Sequence, residues 1–445
     1  MHAITGYKQI GRLAFPIIFA QSVVLMNGLI DLAFIGPYGT EAIAAVSIAN
    51  ALCATLFNFL EGFRLGTTVL VARSSAANDT AKAAAVVNCG LLLAAAVGAL
   101  CAVFAPRISA AVYAAAGNEL ISHHGTGYLT VWLWALPLIL FSYVLVGLFR
   151  GLRDTATPLY STLVVCLLNV FFDYLFVCGG FGFPAVGVKG AAWGTLLANL
   201  AGLLIVALLA ATKPVTRGSI NLKQPFRPCL REYLRLAVDI GLNTGFTLLA
   251  LLLFVWLIRP LGPAALAAHQ ITLQIFNLTY LPSVGFLITA SILVPPLLES
   301  RRADLLRPTV AKIGKLSFAV AFVISGLLFA LAPAVGAFFS PADGPVAVQA
   351  ARTLRLVCVG QLFSSVYMVL RGALTGCGDT RFIVYEGLAS GYLVFLPLAY
   401  LLAVKTGGGI FGGYTAFVLW CAADCTALVF RFRRRACRCG GRPVA

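Results

Sequence analysis

The chain has 445 residues, of which 60% are hydrophobic and 11% are charged, and its mean hydropathy is +0.95. This composition excludes a soluble globular domain, and the length exceeds the needs of a simple membrane anchor. The net charge of +17 does not predict a nucleic-acid partner, because the basic residues are sorted among the loops as in a polytopic membrane protein.

Apolar segments long enough to cross a bilayer as helices, roughly 20 residues each, recur twelve times. They span residues 13–35, 43–72, 84–105, 128–149, 159–179, 190–212, 232–258, 266–297, 312–339, 352–371, 382–404 and 410–430. The first segment is longer than a signal-peptide core and lacks a cleavage site followed by a soluble domain, so we expect it in the mature protein. The pattern predicts an all-α polytopic membrane protein with twelve transmembrane helices.

A polar linker divides these segments into two sets of six that resemble each other. IGPYGTEAIAAVSIANAL, which begins at Ile35, matches IRPLGPAALAAHQITLQI, which begins at Ile258; FRGLRDT from Phe149 matches LTGCGDT from Leu374. Such a repeat predicts two pseudo-symmetric six-helix bundles and a transporter whose substrate path lies at or near their interface. We expect an N-terminal bundle at 1–212, a cytoplasmic linker at 213–231, a C-terminal bundle at 232–430 and a basic cytoplasmic tail at 431–445.

The distribution of basic residues predicts the orientation of the chain. Most of the 32 Lys and Arg residues fall in loops that the twelve-helix plan puts on the same side as both termini. The positive-inside rule then places both termini in the cytoplasm. We expect a multi-pass protein of the inner (plasma) membrane, with a basic tail that contacts anionic membrane lipid.

Two acids stand deep inside hydrophobic segments. Asp31 lies in the first segment and Asp173 in the fifth. A carboxylate at the centre of a bilayer costs about 2.5 to 3.5 kcal/mol on insertion scales, so an intramembrane acid indicates a functional site.

Amide side chains accompany these acids at helical spacing. The three pairs that are four residues apart are Asn27 with Asp31, Asn169 with Asp173, and Thr195 with Asn199. Each pair shares one face of its helix, so six side-chain oxygens on three helices are expected to converge on one pocket. Oxygen ligands suit a hard cation, and two close carboxylates do not both stay ionised at low cost. The alternative is that these side chains only join helices to one another as polar contacts.

The chain resembles the multidrug and toxic compound extrusion (MATE) family. The resemblance rests on LIDLAFIGPYG, on the repeated R/T-G-x-x-D-T turn and on GPAALAAHQI, and FLEGFRLGTTVLVA is similar to the DinF branch. It covers residues 8 to 430. It implies a secondary antiporter that exports amphipathic, cationic organic compounds in exchange for H+ or Na+ by alternating access of the two bundles.

The resemblance also implies a location for the cation-coupling site. Matched motif by motif, the site falls on Asp31, Asn169, Asp173 and Thr195, and Pro16 lies where the family has a first-helix proline associated with bending. Asn27 and Asn199 are possible additional members. This sequence departs from the family pattern in having Arg153 where the repeated turn normally has Gly.

Other charges are expected to play smaller parts. Glu61 and Arg64, three residues apart, are expected to neutralise each other, with an accessory proton site as the alternative reading. Three further acids, Asp239, Glu386 and Asp424, are expected near cytoplasmic helix ends, within reach of interfacial water. Because Phe254 stands at the second-half position that matches Asp31, we expect coupling in the first bundle alone.

Two other functions remain open. A lipid-linked oligosaccharide flippase of related architecture would use a basic cavity, for which Arg64 is the candidate. An integral membrane enzyme is disfavoured, because the sequence has no P-loop, H-E-x-x-H or G-x-S-x-G motif. We expect no cofactor and no metal centre beyond the coupling ion, small organic substrates, and action as a monomer.

Overall fold

The computed structural model describes residues 6–115, 119–221, 223–300, 302–339 and 344–440. Within these residues, twelve helices are long and apolar enough to span a membrane, which confirms the expected all-α polytopic fold. The last five residues of the expected basic tail lie outside the described residues. The helices are α1 Tyr7–Ile35, α2 Thr40–Ala76, α3 Thr80–Ala114, α4 Glu119–Gly151, α5 Ala156–Val177, α6 Val188–Thr212, α7 Arg227–Ile258, α8 Pro263–Glu299, α9 Leu306–Phe339, α10 Gly344–Gly376, α11 Thr380–Lys405 and α12 Gly409–Gly440.

Most helices extend beyond the apolar segments that reveal them. Helix α8, for example, has 37 residues, which correspond to about 55 Å at 1.5 Å per residue. The hydrocarbon core of a bilayer is only about 30 Å thick. Hydropathy marks the part of a helix that lies in hydrocarbon, whereas its backbone hydrogen bonds continue into the interface.

The chain forms two compact units. The N-terminal unit is Phe19–Gly241, and the C-terminal unit combines the described residues up to Ile18 with those from Leu242 onwards. The boundaries therefore fall inside α1, just after Pro16, and inside α7. Most of the polar segment 213–231 packs within the N-terminal unit, where Asn88 Nδ2 donates to the carbonyl oxygens of Asn221 at 2.8 Å and Gln224 at 2.9 Å.

Glycines allow the helices of the N-terminal unit to approach closely. A Cβ atom on Gly147 of α4 would lie 2.7 Å from the carbonyl oxygen of Arg64, and one on Gly151 would lie 2.8 Å from that of Thr68. In membranes, small residues at such crossings bring backbones into van der Waals contact. Helices α2 and α4 therefore pack tightly where the second half of α2 meets the end of α4.

One turn recurs three times between helices, with the pattern x-Asp-Thr. The residue before Asp has a positive φ in each case: 56° at Asn78, 66° at Arg153 and 75° at Gly378. This left-handed conformation ends a helix and favours Gly, because a Cβ atom crowds the backbone there. Arg153, which replaces the Gly of the family pattern, therefore holds a side chain in a backbone conformation that favours Gly.

The Asp residues of the first two turns cap the helix that follows. Asp79 Oδ1 accepts a hydrogen bond from the backbone N–H of Lys82 at 2.8 Å, and Asp154 Oδ1 accepts one from that of Thr157 at 3.0 Å. Lys213 Nζ also donates to Asp154 Oδ2 at 3.1 Å. Partial burial raises the pKa of Asp154, but the bonds from Thr157 and Lys213 outweigh it and hold that pKa below its ordinary value.

The third turn behaves differently, in the C-terminal unit. Asp379 does not cap α11; its carboxylate instead accepts two hydrogen bonds from the Arg431 guanidinium of α12, at 2.8 and 3.1 Å. Helix α10 packs against α8, α9 and α12 in this unit. Helix α11 has π-helical turns at Ser390–Phe395 and Leu401–Lys405, a geometry often found near functional sites.

Candidate functional site

The two intramembrane acids of the N-terminal unit meet. Asp173 is fully buried and Asp31 is partly buried, and their carboxyl groups lie within hydrogen-bonding reach of each other. No donor among the described residues bonds to either carboxylate oxygen of Asp173. Ionised carboxylates only accept hydrogen bonds, so two ionised groups this close repel each other, and a proton or a cation between them would remove the repulsion.

A chain of hydrogen bonds connects this pair to helix α6. Asn27 Nδ2 donates to Asp31 Oδ1 at 3.2 Å and also to Asn169 Oδ1. Asn169 Nδ2 in turn contacts Thr195 Oγ1 at 3.4 Å. The structure therefore brings together five of the six expected side chains from α1, α5 and α6. Asn27 Oδ1 is buried and accepts no hydrogen bond from the described residues, which leaves an oxygen ligand available.

Asn199 is the sixth expected side chain, and it stands apart. Its Nδ2 donates to the backbone carbonyl of Thr195 at 2.8 Å. An Asn side chain can reach the carbonyl oxygen one turn earlier on its own helix, and this local bond competes with a contact across helices. The spacing of four residues therefore placed Asn199 correctly on the helix face but did not determine its partner.

Gly194 leaves room for the carboxyl group of Asp173, and the sequence analysis did not identify this glycine. A Cβ atom at Gly194 would lie 2.6 Å from Asp173 Oδ1, and one at Gly190 would lie 2.6 Å from the carbonyl oxygen of Phe176. The two glycines are four residues apart on the face of α6 that packs on α5. The Gly-x-x-x-Gly pattern, typical of close membrane helix pairs, is the signal that could have found them.

Tyr128 of α4 is a second residue that was missed. It is 4% exposed and lies close enough to interact electrostatically with both Asp31 and Asp173. Its hydroxyl group contacts Asn50 Oδ1 at 3.4 Å. Nothing in its sequence neighbourhood marks it, because its proximity depends on the packing of α4 rather than on spacing along the chain.

Glu61 and Arg64 pair with each other as expected. Arg64 Nε donates to Glu61 Oε1 at 2.8 Å, and the guanidinium carbon lies 4.8 Å from the ring centroid of Tyr143. Arg150 follows the apolar segment 128–149, where a basic residue is expected to reach water, but it is 3% exposed at the end of α4. Its Nε has no acceptor among the described residues. Arg150 is buried because α4 extends beyond its apolar segment.

The expectation for Glu386 and Asp424 is wrong. They do not reach interfacial water: Glu386 is 9% exposed and Asp424 6% exposed. Their carboxyl groups lie beside each other, and Ser390 and Trp420 are also close to Asp424. Position along a single helix did not predict this burial, because side chains of neighbouring helices cover both acids. Asp239 fits the expectation better, since its partly exposed side chain lies 3.9 Å from Arg235.

The chemistry available near Asp31 is that of carboxyl, amide and hydroxyl oxygens. Among the described residues, no group of three or more His, Cys, Asp or Glu side chains is arranged to hold a metal ion. Oxygen atoms with few competing donors can hold a proton or a hard monovalent cation. Binding of either would neutralise charge that is buried between α1 and α5.

Known proteins resemble this chain along nearly its whole length. A family model described as MatE matches residues 16–175 and 240–401. A Shewanella oneidensis protein named "Probable multidrug resistance protein NorM" is 27% identical over 444 residues, which cover 96% of this chain and 94% of that protein. A Pseudomonas aeruginosa protein of the same name is 29% identical, with coverages of 97% and 90%. A solved structure described as "Crystal structure of MATE in the straight conformation" has a TM-score of 0.91 at 21% identity and covers 98% of both chains, a likeness that shows the fold.

Proposed function

The chain belongs to the MatE family of membrane transporters, and from this premise we propose that it is a secondary antiporter that exports amphipathic organic cations in exchange for H+ or Na+. It is a transporter rather than an enzyme, and its relatives are named as multidrug resistance proteins. The observation that carries the proposal is the contact between the Asp31 and Asp173 carboxyl groups inside the N-terminal unit.

The proposed coupling step is a change of charge at this pair. When both carboxyl groups are ionised they repel each other, and a proton or Na+ removes that repulsion. Asn27 links Asp31 to Asn169, so a shift of the Asp31 side chain changes the hydrogen bonds between α1 and α5. Pro16 weakens the backbone of α1, because it donates no backbone hydrogen bond. The ion drives transport only if it binds one conformation more tightly than the other.

We further propose that the protein resides in the inner membrane with both termini in the cytoplasm. The proposal rests on the sorting of basic residues and on the twelve spans. Assignment to the DinF-like branch remains a prediction from the motif around Arg64. Cationic cargo is favoured because the fully buried charge at the Asp31 site is acidic, and a cation and a proton can then compete for the same negative charge.

A flippase for a lipid-linked oligosaccharide is the second candidate, and one observation favours it. Arg150 is a buried guanidinium beside the Glu61–Arg64 pair, so two positive charges share one carboxylate there. A phosphate group of a lipid-linked substrate would supply the missing negative charge. This candidate requires the positive residues, and not Asp31, to determine activity.

Efflux from reconstituted vesicles tests the first proposal. Vesicles holding the purified protein and a fluorescent organic cation are exposed first to an imposed pH gradient and then to a Na+ gradient. The variants are Asp31→Asn and, as a matched control, Asp79→Asn, which removes an exposed carboxylate at a helix cap. Asn caps helices as well as Asp does, so the control should fold and transport like the parent.

We expect the parent and Asp79→Asn to transport with one of the two gradients, and Asp31→Asn to be inserted but to lose gradient-driven transport. The gradient that drives the parent identifies the ion. Equal transport by Asp31→Asn would show that the acid is only a polar contact between helices. Loss of activity in Arg150→Gln on a lipid-linked substrate, with no cation transport by the parent, would favour the flippase.

A further inference from the structure

A groove on the C-terminal unit has no part in the proposed coupling site. It has a volume of about 790 Å³ and lies over α10, with α9 and α12 as its two walls. This volume is within the range of about 300 to 1,000 Å³ that is typical of small-molecule sites. We call it the basic groove and define it by Arg307, Gly314, Lys315 and Phe318 of α9, Leu370 of α10 and Arg433 of α12.

The floor of the basic groove is apolar along its length. Val369 and Leu370 of α10 and Phe432 of α12 line it beside Val310 of α9. A small soluble anion would gain nothing from this surface, whereas a hydrocarbon chain would gain about 25 cal/mol for each Å² of apolar area removed from water. The floor therefore fits a ligand that has an extended hydrocarbon portion.

The length of the groove matches one leaflet of a bilayer. Arg307 and Phe318 are eleven residues apart on α9, which corresponds to about 16 Å along a helix. The hydrocarbon core is about 30 Å thick, so one leaflet is about 15 Å. A lipid whose head group lies near Arg307 would reach the Phe318 end with its acyl chain.

The charge on the groove is positive. Three basic side chains, those of Arg307, Lys315 and Arg433, line it together with apolar residues, and none of its lining residues in the described part of the chain is acidic. Arg307 Nη2 donates to the backbone carbonyl of Arg433 at 3.1 Å, so the mouth is bridged from α9 to α12. Lys315 carries a long apolar stem that lets its ammonium group reach toward the head-group level.

We propose that the basic groove is a binding site for an anionic phospholipid, with the phosphate held by Arg307, Lys315 and Arg433 and an acyl chain along α10. The charge pattern selects an anion, and the apolar floor selects a lipid over free phosphate. A cationic drug is excluded by the three positive charges. Phosphatidylglycerol has the required single negative charge and two acyl chains.

Gly314 provides a means of closing the groove without changing its charge. A Cβ atom at this position would have no other atom within 4 Å, so a large side chain here enters empty space. Gly314→Phe therefore fills the groove between Arg307 and Phe318 while every basic residue is retained. Replacement of Gly in a helix also favours the helical state, so the variant should fold.

The experiment measures lipid binding to the full-length protein. The protein in neutral detergent is titrated with phosphatidylglycerol, with phosphatidylcholine and with inorganic phosphate, and bound lipid is counted by native mass spectrometry. The variants are Gly314→Phe and the double variant Lys315→Gln/Arg433→Gln. Arg434→Gln is the matched control, because Arg434 is an exposed basic neighbour that does not line the groove.

We expect the parent and Arg434→Gln to retain one phosphatidylglycerol that phosphatidylcholine does not replace. The double variant should bind it about thirtyfold more weakly, since each basic residue contributes about a factor of five. Gly314→Phe should lose the site. The proposal is overturned if Gly314→Phe binds as the parent does, if phosphatidylcholine binds equally well, if inorganic phosphate alone competes at millimolar concentration, or if Arg434→Gln weakens binding as much as the double variant.

Discussion

Gly194→Ala tests the geometry of the acid pair without removing either acid. The new Cβ atom would lie 2.6 Å from Asp173 Oδ1 and 3.3 Å from Phe172 Cβ. Ordinary van der Waals contact begins at 3.4 Å, so the carboxylate of Asp173 must move by about 0.8 Å or α6 must retreat from α5. Movement of the carboxylate changes its contact with Asp31 directly, and a retreat of α6 is expected to loosen the contact of Asn169 with Thr195.

The size of the effect follows from this overlap. Extra atoms in a packed interior typically cost about 1 to 3 kcal/mol, and every 1.4 kcal/mol corresponds to a factor of ten. We therefore expect gradient-driven transport to fall by about 5- to 150-fold. Membrane insertion should change little, because Ala is a better helix former than Gly, and transport is normalised to the amount of folded protein so that any loss of stability is separated from loss of coupling.

The assay is the time course of accumulation of a fluorescent cation under a pH gradient of one unit, which gives both the initial rate and the plateau. One pH unit is worth about 1.36 kcal/mol per proton, so one-for-one exchange supports at most a tenfold substrate gradient and two protons support a hundredfold gradient. The parent should approach one of these limits. Gly194→Ala should reach its plateau far more slowly.

Gly28→Ala is the matched control for this experiment. Gly28 follows Asn27 directly on α1, yet a Cβ atom there would have no other atom within 4 Å. It receives the same substitution near the same site without a steric conflict, and it should transport like the parent. If Gly194→Ala transports at the parental rate, the Asp31–Asp173 contact does not determine coupling. If Gly28→Ala loses as much transport as Gly194→Ala, the loss is caused by replacing Gly in a helix and not by the steric conflict with Asp173.

Three further outcomes follow from the structure. Arg153→Gly should leave stability unchanged or raise it by about 1 kcal/mol, since the left-handed turn at φ 66° strains a residue with a Cβ atom; thermal unfolding measures this. Asp154→Ala should cost about 0.5 to 2 kcal/mol at pH 7 through loss of the cap. Because the pKa of Asp154 lies below its ordinary value, its contribution is present above about pH 3.9 and is lost as the pH falls through the folded-state pKa. The Tm difference between Asp154→Ala and the parent should therefore narrow below about pH 4, and a constant difference would contradict this account. Glu386→Gln should not lower Tm, because the Gln amide can donate to Asp424 and one of two adjacent carboxyl groups is gone; a fall of several degrees would show that Glu386 stabilises the fold as an anion.

The twelve helices, and the helix faces that carry the five side chains near Asp31, were predictable, because both depend on periodicity within single helices. Hydrophobic runs determine which segments cross the membrane. Spacing of four residues puts Asn27 beside Asp31 and Asn169 beside Asp173. The convergence of the two pairs also followed, since an uncompensated acid in hydrocarbon is costly and a second polar group on another helix reduces that cost.

The outcomes that sequence missed depend on contacts between helices. Arg150 and Glu386 lie near the ends of apolar segments, where hydropathy suggests water, but neighbouring helices cover both side chains. The Asn199 side chain donates a hydrogen bond to the backbone carbonyl of Thr195, one turn earlier on the same helix. Tyr128 approaches the acids only through the packing of α4. Periodicity along one helix contains no information about how far its neighbours extend.

The two units differ in what they place at matching positions, and this difference supports coupling in the N-terminal unit. Phe254 stands where the repeat aligns Asp31, and it is 2% exposed, with its ring centroid 5.1 Å from that of Phe395 and 5.6 Å from that of His269. The described side chains packed on Phe254 are aromatic and offer no carboxylate to a cation. The acid pair of the C-terminal unit, Glu386 with Asp424, arises on α11 and α12 at positions the repeat does not relate to Asp31. Repetition has thus preserved the helices of the two units while their buried acids have been placed independently, and the position of the C-terminal unit that matches Asp31 carries a ring in place of a carboxylate.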